Sequence, residues 1–205
     1  MKKSEMAAAI MEARPYTGET EYIRGYRKLE RMNKTELETI YNKEVKGMNK
    51  KLYVCYGSNL HLRQMSYRCP DATVYGSGVI KNYRLKFYGV ASIEPQPGED
   101  CPVGVWEISE RDEKNLDRYE GFPHLYRKEE IEVVMESGET VTAMVYIMNR
   151  SGAESDPSPS YYETILSGYH SFRLPVNYLQ RCLDRVMNSR PVSSGYVPLR
   201  YRYNH

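Results

Sequence analysis

The segments that most constrain the fold lie between residues 51 and 148, where most of the chain has the composition of β-strands. Aromatic and β-branched residues are concentrated in runs at 51–56, 73–80, 83–89, 103–108, 127–135 and 140–148. A loop is predicted at 94–100 and a hairpin turn at 136–139. Because strands and helices do not alternate regularly, we expect an α+β domain, in which flanking helices pack on a small mixed or antiparallel, barrel-like sheet.

Two helices are predicted within this strand-rich region and one after it. The first follows Gly57 and runs to about Arg68, with Ser58 or Asn59 as its cap and with a core face made of Leu62, Met65 and Cys69. The second begins after Ser109, which has Asp112 at the spacing of a capping box, and ends at Gly121. A last helical region is expected from Tyr161 to about Asn188.

Residues 1–50 contain no strand-like run and are predicted to form a helical extension. The expected helices are Tyr22–Met32 and a second one that follows a Thr35 cap. Because both are mostly polar, we do not expect them to form a core alone. They are expected to pack on the main domain or on a second subunit, which makes a homodimer a reasonable arrangement, or to be partly disordered. Gly47–Lys50 is interpreted as a linker.

The predicted division of the chain is therefore a helical extension at 1–50, a main domain at 51–189 and a tail without clear order at 190–205. Hydrophobic residues make up 40% of the sequence and the mean hydropathy is −0.68, as in globular proteins. No stretch approaches the roughly 20 apolar residues of a membrane-spanning helix, and the N-terminus lacks the apolar run of a secretory signal. We expect a cytoplasmic protein without a membrane partner.

Charge and cysteine content exclude several other classes. The net charge is +2 and the charges are interleaved, so nucleic acid is not an expected partner. The cluster formed by Arg24, Arg27, Lys28 and Arg31 is better explained as a solvated helix face. The four cysteines form no C-x-x-C pair, and the four histidines form no metal-binding pattern, so free thiols and no metal are expected.

The loop Tyr56-Gly57-Ser58-Asn59 is the first candidate site element. It can be a purely structural strand-to-helix turn, and the residue types alone favour that interpretation. It can also bind an anion, because free backbone N–H groups at a helix N-terminus attract a carboxylate or a developing oxyanion. The chain has no G-x-G-x-x-G or G-x-x-x-x-G-K motif, so no nucleotide cofactor is expected. The pattern of a nucleophile elbow around Ser58 is also missing.

Glu120 is the second candidate. It lies at the predicted C-terminal end of a helix, where the helix dipole opposes a negative charge, and Tyr119 and Phe122 are expected to reduce its solvation. Both effects raise the pKa of a carboxyl group above its usual value of about 4.3. An exposed helix-end glutamate is the ordinary interpretation; a general base tuned towards neutral pH is the functional one.

These residues occur in an order that resembles the gamma-glutamylcyclotransferase family. The resemblance rests on Tyr53–Leu60, Leu116–Gly121 and Tyr126, and on a closing segment from Pro157 to Leu179, so that it covers about residues 51–183. It implies a small β-barrel with a substrate cavity at its mouth, and conversion of a gamma-glutamyl amino acid or amine into 5-oxoproline and the free amine, with no cofactor. Arg173 departs from the family pattern, which usually has a glycine before Leu-Pro, and His124-Leu125 lies in a region that varies and shapes access.

Carried over residue by residue, the resemblance implies that Glu120 is the catalytic acid and base. It implies that the substrate is bound by Tyr53, Val54, Cys55, Tyr56, Gly57, Ser58, Asn59, Tyr126 and Tyr161. Such a substrate can be held by Gly57 and Ser58 N–H groups, which would stabilise an oxyanion or anchor the α-carboxylate. Two alternatives remain: a non-catalytic small-molecule-binding module with the same fold, and transfer of the gamma-glutamyl group to another amine.

Overall fold

The computed structural model describes residues 1–45, 50–149 and 152–189. The predicted linker and the predicted C-terminal tail therefore lie largely outside the described residues. The helices are α1 (Lys3–Glu12), α2 (Glu19–Arg31), α3 (Lys34–Glu44), α4 (Leu62–Arg68), α5 (Glu110–Glu120), α6 (Pro159–Ser171) and α7 (Val176–Asn188). The strands are β1 (Lys51–Cys55), β2 (Thr73–Phe87), β3 (Ala91–Ile108), β4 (Tyr126–Met135) and β5 (Thr140–Met148).

The five strands form a closed barrel in the order β1–β3–β2–β4–β5. Strand β1 is parallel to β5, with Tyr53 opposite Met144, and every other neighbouring pair is antiparallel. Closure leaves no open sheet edge and surrounds a core of buried aliphatic and aromatic side chains. The α+β class, the barrel and the flanking helices are therefore confirmed. Across the described ranges, none of the helices combines the length and apolar character needed to cross a bilayer.

Strands β2 and β3 are longer than expected, and the loop predicted at 94–100 lies inside β3. The two strands predicted at 73–80 and 83–89 are one strand that changes register between Lys81 and Tyr83. Asn82 has a positive φ of 58°, and its side-chain oxygen accepts a hydrogen bond from the Gly98 N–H at 3.0 Å. A bulge thus accommodates the prolines and glycine that suggested a loop, and the strands continue on either side.

The chain leaves β1 through a tighter turn than predicted. Ser58–Leu60 forms a 3-10 turn, and α4 starts only at Leu62. The cap is His61, whose Nδ1 accepts the Gln64 N–H at 3.3 Å, so the prediction of a Ser58 or Asn59 cap is wrong. Leu62 is exposed rather than in the core, whereas Met65 and Cys69 are buried as predicted.

The last helical region is two helices instead of one. Helix α6 ends before Arg173, which has a positive φ of 54°, and α7 begins after Pro175. Glycine is the usual residue at such a left-handed helix end, so the unusual arginine does occupy a special backbone position. The α5 prediction is confirmed in detail: Ser109 and Asp112 form a capping box, and Gly121 has a φ of 64°.

Helices α1–α3 differ from the prediction because they share a hydrophobic core. Its buried residues are Met6, Ala7, Ile10, Met11, Leu29 and Leu37. Most of them belong to α1, a helix that was not predicted from the sequence. The apolar side chains of α1 cover the narrow apolar faces of α2 and α3. The expectation that the extension cannot form a core is therefore wrong, and so is the Thr35 cap, since Asn33 accepts the Glu36 N–H at 2.9 Å.

We propose that α1–α3 form a separate folding unit, which predicts a local response to a core change. Leu37→Ala is expected to cost about 2–5 kcal/mol, because it removes a fully buried side chain. Amide hydrogen exchange should become faster across residues 1–45 and stay unchanged in the barrel strands. Glu38→Ala, on the exposed side of the same helix, is the control. Equal acceleration in the barrel would contradict the proposed independence.

Helix α6 packs directly on the turn that follows β1. A Cβ added at Gly168 would lie 2.8 Å from the Leu60 carbonyl carbon and 3.1 Å from the His61 nitrogen. Such backbone contacts cannot relax by a side-chain rotation. Gly168 therefore allows α6 to press against the turn and to hold it in place.

A methyl group at this position is expected to disturb both stability and the turn. Gly168→Ala should lower the free energy of unfolding by at least about 1 kcal/mol, because overpacking outweighs the gain in helix propensity. Trp106 is the chain's only tryptophan and donates to the Asn59 carbonyl at 3.1 Å, so its fluorescence reports on the turn. Gly152→Ala, where nothing lies within 4 Å, is the control. Unchanged stability and emission in Gly168→Ala would contradict the packing argument.

Candidate active site

The turn after β1 faces a cavity of about 310 Å³. The cavity is lined by the turn after β1, by the end of α5 and by residues from several other segments. The lining residues are Tyr53, Tyr56, Gly57, Ser58, Asn59, Val90, Ala91, Tyr119, Glu120, Leu125, Tyr126, Tyr146 and Tyr161. A larger cavity of about 600 Å³ is lined by Tyr41, Val45 and the outer face of α5. We place the candidate site in the smaller cavity because a partly buried carboxyl group faces it, which is a common feature of catalytic sites.

Gly57 is required by a close approach of the chain to its neighbours. A Cβ at this position would lie 3.2 Å from the Tyr161 hydroxyl oxygen and 3.3 Å from the Ala91 Cβ. Its φ of −116° does not demand glycine. The residue is therefore explained by space: a side chain here would enter the cavity between Tyr161 and Ala91.

The C-terminal half of α5 is attached to the barrel by charged and polar contacts. The Lys128 ammonium on β4 lies 2.7 Å from both the Glu113 and the Asp117 carboxylates. The Tyr146 hydroxyl on β5 donates to Asp117 Oδ1 at 2.6 Å. These bonds determine where the last turn of the helix lies, and with it the position of Glu120.

Asn59 joins the turn to the end of α5. Its side-chain nitrogen donates to Glu120 Oε1 at 2.8 Å and to the Tyr53 hydroxyl oxygen at 2.7 Å. Its side-chain oxygen accepts from Arg68 Nη1 at 2.5 Å. The guanidinium of Arg68 also donates to Gln64 and stacks 3.7 Å over the Tyr119 ring. An arginine has only donors, so this bond orients the amide with its nitrogen towards Glu120.

Burial raises the pKa of Glu120 from 4.5 to about 7, against the opposing effects of the Asn59 hydrogen bond and the Arg68 charge. The predicted direction is therefore confirmed. The predicted cause is partly wrong, because Tyr119 and Phe122 are both exposed and Phe122 does not line the cavity. The buried rings of Tyr53 and Tyr56 contribute the low-dielectric surroundings instead.

The tyrosines that line the cavity differ in what their hydroxyl groups do. Tyr56 donates to the Tyr146 carbonyl at 2.6 Å and Tyr126 to the Ala91 carbonyl at 3.3 Å, so both offer mainly ring surface. The Tyr161 oxygen accepts the Ala91 N–H at 3.1 Å, and the Ser58 N–H is also directed at it. Burial raises the pKa of Tyr161 to about 12 although the Ala91 N–H lowers it, so this hydroxyl keeps a proton to donate.

Ser58 has polar neighbours that do not activate a nucleophile. Its hydroxyl lies 3.1 Å from the Tyr119 hydroxyl and 3.3 Å from Arg68 Nη1. Neither partner is an imidazole or a carboxylate, the groups that usually serve as the base for a serine nucleophile. The Ser58 N–H was expected to be free, and this expectation is wrong, because the N–H is directed at the Tyr161 oxygen.

The structure brings together most, but not all, of the residues predicted for the site. Val54 and Cys55 are buried and do not line the cavity, and the Cys55 thiol donates to the Gly104 carbonyl. Four contributors were missed: Val90, Ala91 and Tyr146, which line the cavity, and Arg68. Arg68 is the last residue of a predicted helix, and only the folded chain shows that it contacts Asn59. In the part of the chain that the structure describes, no three His, Cys, Asp or Glu side chains are grouped to hold a metal ion.

Comparison with known proteins identifies the class to which this fold and site belong. The model of the family described as "Gamma-glutamyl cyclotransferase, AIG2-like" matches residues 53–168, which is more than half of the chain. The chain belongs to this family. The matched range includes every residue that lines the cavity, so the resemblance seen in the sequence is confirmed for the segment that carries the candidate site.

Similar proteins that carry the name gamma-glutamylcyclotransferase include those from Homo sapiens and Bos taurus. The protein from Homo sapiens is 27% identical over 154 residues, covering 68% of this chain and 81% of the relative. The protein from Bos taurus is 28% identical over 143 residues, covering 63% and 76%. A solved structure described as gamma-glutamyl cyclotransferase has a TM-score of 0.60 at 24% identity and covers 73% of this chain and 94% of its own, which supports the fold. These relatives support an enzyme of the gamma-glutamylcyclotransferase type.

The raised pKa of Glu120 predicts a pH-dependent cost in stability. Between pH 4.5 and 7 the folded chain holds a proton that the unfolded chain loses, so stability falls as the pH rises through this window. Glu120→Gln removes this effect while it can still accept the Asn59 hydrogen bond. Relative to the unmodified protein, the free energy of unfolding of the variant should increase by about 1–3 kcal/mol as the pH rises from 4.5 to 8, as measured by urea unfolding.

Glu110→Gln, an exposed position in the first turn of the same helix, serves as the control and should show no such gain. If the difference in the free energy of unfolding between Glu120→Gln and the unmodified protein stays constant from pH 4.5 to 8, the fold does not perturb the pKa of the carboxyl.

Proposed function

We propose that this protein is a gamma-glutamylcyclotransferase that converts a gamma-glutamyl amino acid or amine into 5-oxoproline and releases the free amino acid or amine. The observation that carries the proposal is the Glu120 carboxyl, which faces a cavity inside the segment matched by the family and has a pKa of about 7. A carboxyl with this pKa can both accept and give up a proton near neutral pH.

The proposed reaction is intramolecular. The α-amine of the substrate attacks its own γ-carbonyl carbon, a new C–N bond closes the five-membered ring, and the original amide C–N bond breaks. Water is not consumed. The protein therefore needs to hold the glutamyl chain in a folded-back conformation, which supplies the proximity that accelerates such steps. A cavity of about 310 Å³ is large enough for a ligand of this size.

Glu120 is proposed to carry the proton between the two nitrogens. The attacking amine is an ammonium at neutral pH, so the carboxylate first removes a proton from it and later gives this proton to the leaving amine. Ring closure frees a second proton from the attacking nitrogen, which the carboxylate takes up and passes to the released amine, so that the amine leaves as an ammonium. Asn59 occupies Oε1, which leaves the second carboxylate oxygen for the substrate. Positioning of the carboxylate by Asn59 and Arg68 limits the range of its motion during both transfers.

The negative charge that develops on the γ-carbonyl oxygen needs a hydrogen-bond donor. Tyr161 suits this role, since its oxygen already accepts N–H groups and its own hydrogen remains to be donated. The Gly57 N–H is proposed to bind the same oxygen or the α-carboxylate, whereas the Ser58 N–H is directed at Tyr161 and supports that hydroxyl. Tyr53, Tyr56, Asn59 and Tyr126 complete the proposed glutamyl pocket; Val54 and Cys55 support it from behind and contact no substrate in this proposal.

The first test is release of 5-oxoproline from a panel of gamma-glutamyl dipeptides and amides. Glu120→Gln is expected to lower kcat by about 10²–10⁴-fold with a small effect on substrate binding, because the substitution removes the proton carrier and keeps the shape. Glu110→Gln should retain full activity. Turnover retained in Glu120→Gln would refute the assigned role of the carboxyl.

The same panel separates the proposal from its two alternatives. Binding by calorimetry without any product would favour a non-catalytic module, and a gamma-glutamylated acceptor formed in the presence of added amines would favour transfer. A cytoplasmic location, a role in metabolism related to glutathione and a homodimer stay predictions that this proposal includes. The free, buried state of all four cysteines is compatible with a reducing compartment.

A further inference from the structure

The larger cavity, of about 600 Å³, lies between the end of α3 and the outer face of α5. It shares no lining residue with the candidate active site. Clefts between two parts of a fold are a common place for small-molecule sites. The residues that line this cavity are Tyr41, Val45, Ser109, Glu110, Arg111, Lys114, Asn115 and Arg118.

The wall that α5 contributes to this cavity is basic. Arg111, Lys114 and Arg118 are three and four residues apart, so they form a row on one face of the helix, with neighbouring Cβ atoms about 5–6 Å apart. Across the described ranges, none of these three side chains has a hydrogen-bond or ion-pair partner. Glu110 is the only carboxylate among the described lining residues. The cavity thus presents three unpaired cations beside one carboxylate.

The opposite face of α5 shows how this helix treats its other charges. Glu113 and Asp117 are bonded to the barrel, and the ammonium groups of Lys51 and Lys128 lie 2.7 Å from their carboxylates. The charges that face the barrel are therefore paired, whereas those that face the cavity are not. Helix stability does not explain Arg111 either, because a cation in the first turn opposes the helix dipole. An anion bound in the cavity would supply the missing partner.

The opposite wall of the cavity is apolar and aromatic. It consists of Tyr41 and Val45 at the end of α3, and both residues are half-buried and pack on the core of the extension. This packing holds the tyrosine ring in place. A ligand that suits both walls carries negative charge on one side and a flat or apolar group on the other.

The row of cations favours two linked phosphates over a single anion. A single phosphate reaches two neighbouring members of a row that extends over two helical turns, whereas two linked phosphates reach all three. Arginine binds phosphate through two parallel N–H···O bonds, and lysine binds it as a point charge. These contacts come from side chains, so they do not need the glycine-rich phosphate loop that the sequence lacks.

We infer that the cavity between α3 and α5 binds a nucleoside diphosphate. The diphosphate contacts Arg111, Lys114 and Arg118. The base lies against Tyr41, because a flat heteroaromatic ring gains by stacking on an aromatic side chain. The site is separate from the candidate active site, so the inference does not depend on the proposed function. Because the ligand contacts both walls, its binding also joins the helical extension to the barrel.

Isothermal titration calorimetry of the full chain with ADP, AMP and inorganic pyrophosphate tests the ligand class. ADP is expected to bind at least about tenfold more tightly than AMP, which lacks the second phosphate. It is expected to bind at least about fivefold more tightly than pyrophosphate, which lacks the base. No binding of ADP at millimolar concentration would overturn the inference, and so would equal affinity for ADP and either of the other two compounds.

Substitutions test whether ADP binds in this cavity. Arg111→Gln and Lys114→Gln are each expected to weaken ADP binding by about tenfold or more. Both positions are exposed, so the variants should unfold at the same urea concentration as the unmodified protein. Arg27→Gln removes the same charge from the exposed basic face of α2 and should leave the affinity unchanged. Unchanged affinity in the cavity variants, or an equal loss in Arg27→Gln, would overturn the assignment.

Discussion

The hydrogen bond between the Asn59 amide and the Glu120 carboxylate is the interaction on which the rest of the site depends. It joins two segments that are 61 residues apart, the turn after β1 and the end of α5. Arg68 gives the bond its direction, because it can only donate to the amide oxygen and so turns the amide nitrogen towards Glu120. Helix α6 presses on the turn at Gly168, and Lys128 holds α5 on the barrel. Arg68, α6 and Lys128 thus all help to hold the Asn59 amide next to the Glu120 carboxylate.

The same hydrogen bond also helps to set the pKa of Glu120, because it opposes the effect of burial. A carboxyl at a helix C-terminus, surrounded by tyrosine rings, is costly to ionise, and burial alone would keep it protonated. Asn59 and Arg68 lower the pKa again without pairing the carboxylate directly with a cation. A direct ion pair would bring the pKa well below neutral and remove the ability to accept a proton near pH 7. A neutral amide between the cation and the carboxylate lowers the pKa less than an ion pair would, which suits the proton transfer proposed for Glu120.

Features encoded by neighbouring residues were predictable from the sequence, and features that depend on distant partners were not. The capping box of α5 and the β4–β5 hairpin lie within a few residues and are confirmed. Ser58 and Asn59 are good capping residues, yet Asn59 bonds to Glu120 and Ser58 contacts Tyr119, so neither caps α4. The bulge at Asn82 and the core supplied by α1 were missed for the same reason. In the site, Glu120 and the turn stood out by residue type and order, whereas Arg68 acquires its position only through folding.

The cavity has a buried floor, which includes Tyr53 and Asn59, and an exposed rim formed by Val90 and Leu125. This division follows from how the barrel is built. The floor comes from β1, the turn after it and the end of α5, whose positions are coupled through Asn59. The rim comes from two separate connections. Val90 is anchored through Gly89 to Ser155, whereas Leu125 is bonded both to Asn149 and to Gly121 at the end of α5. A substitution at Val90 can therefore change the rim without moving the carboxyl, whereas one at Leu125 also affects the residue that follows Glu120. The position of Glu120 and the Val90 side of the rim depend on different contacts, so one can vary while the other is kept.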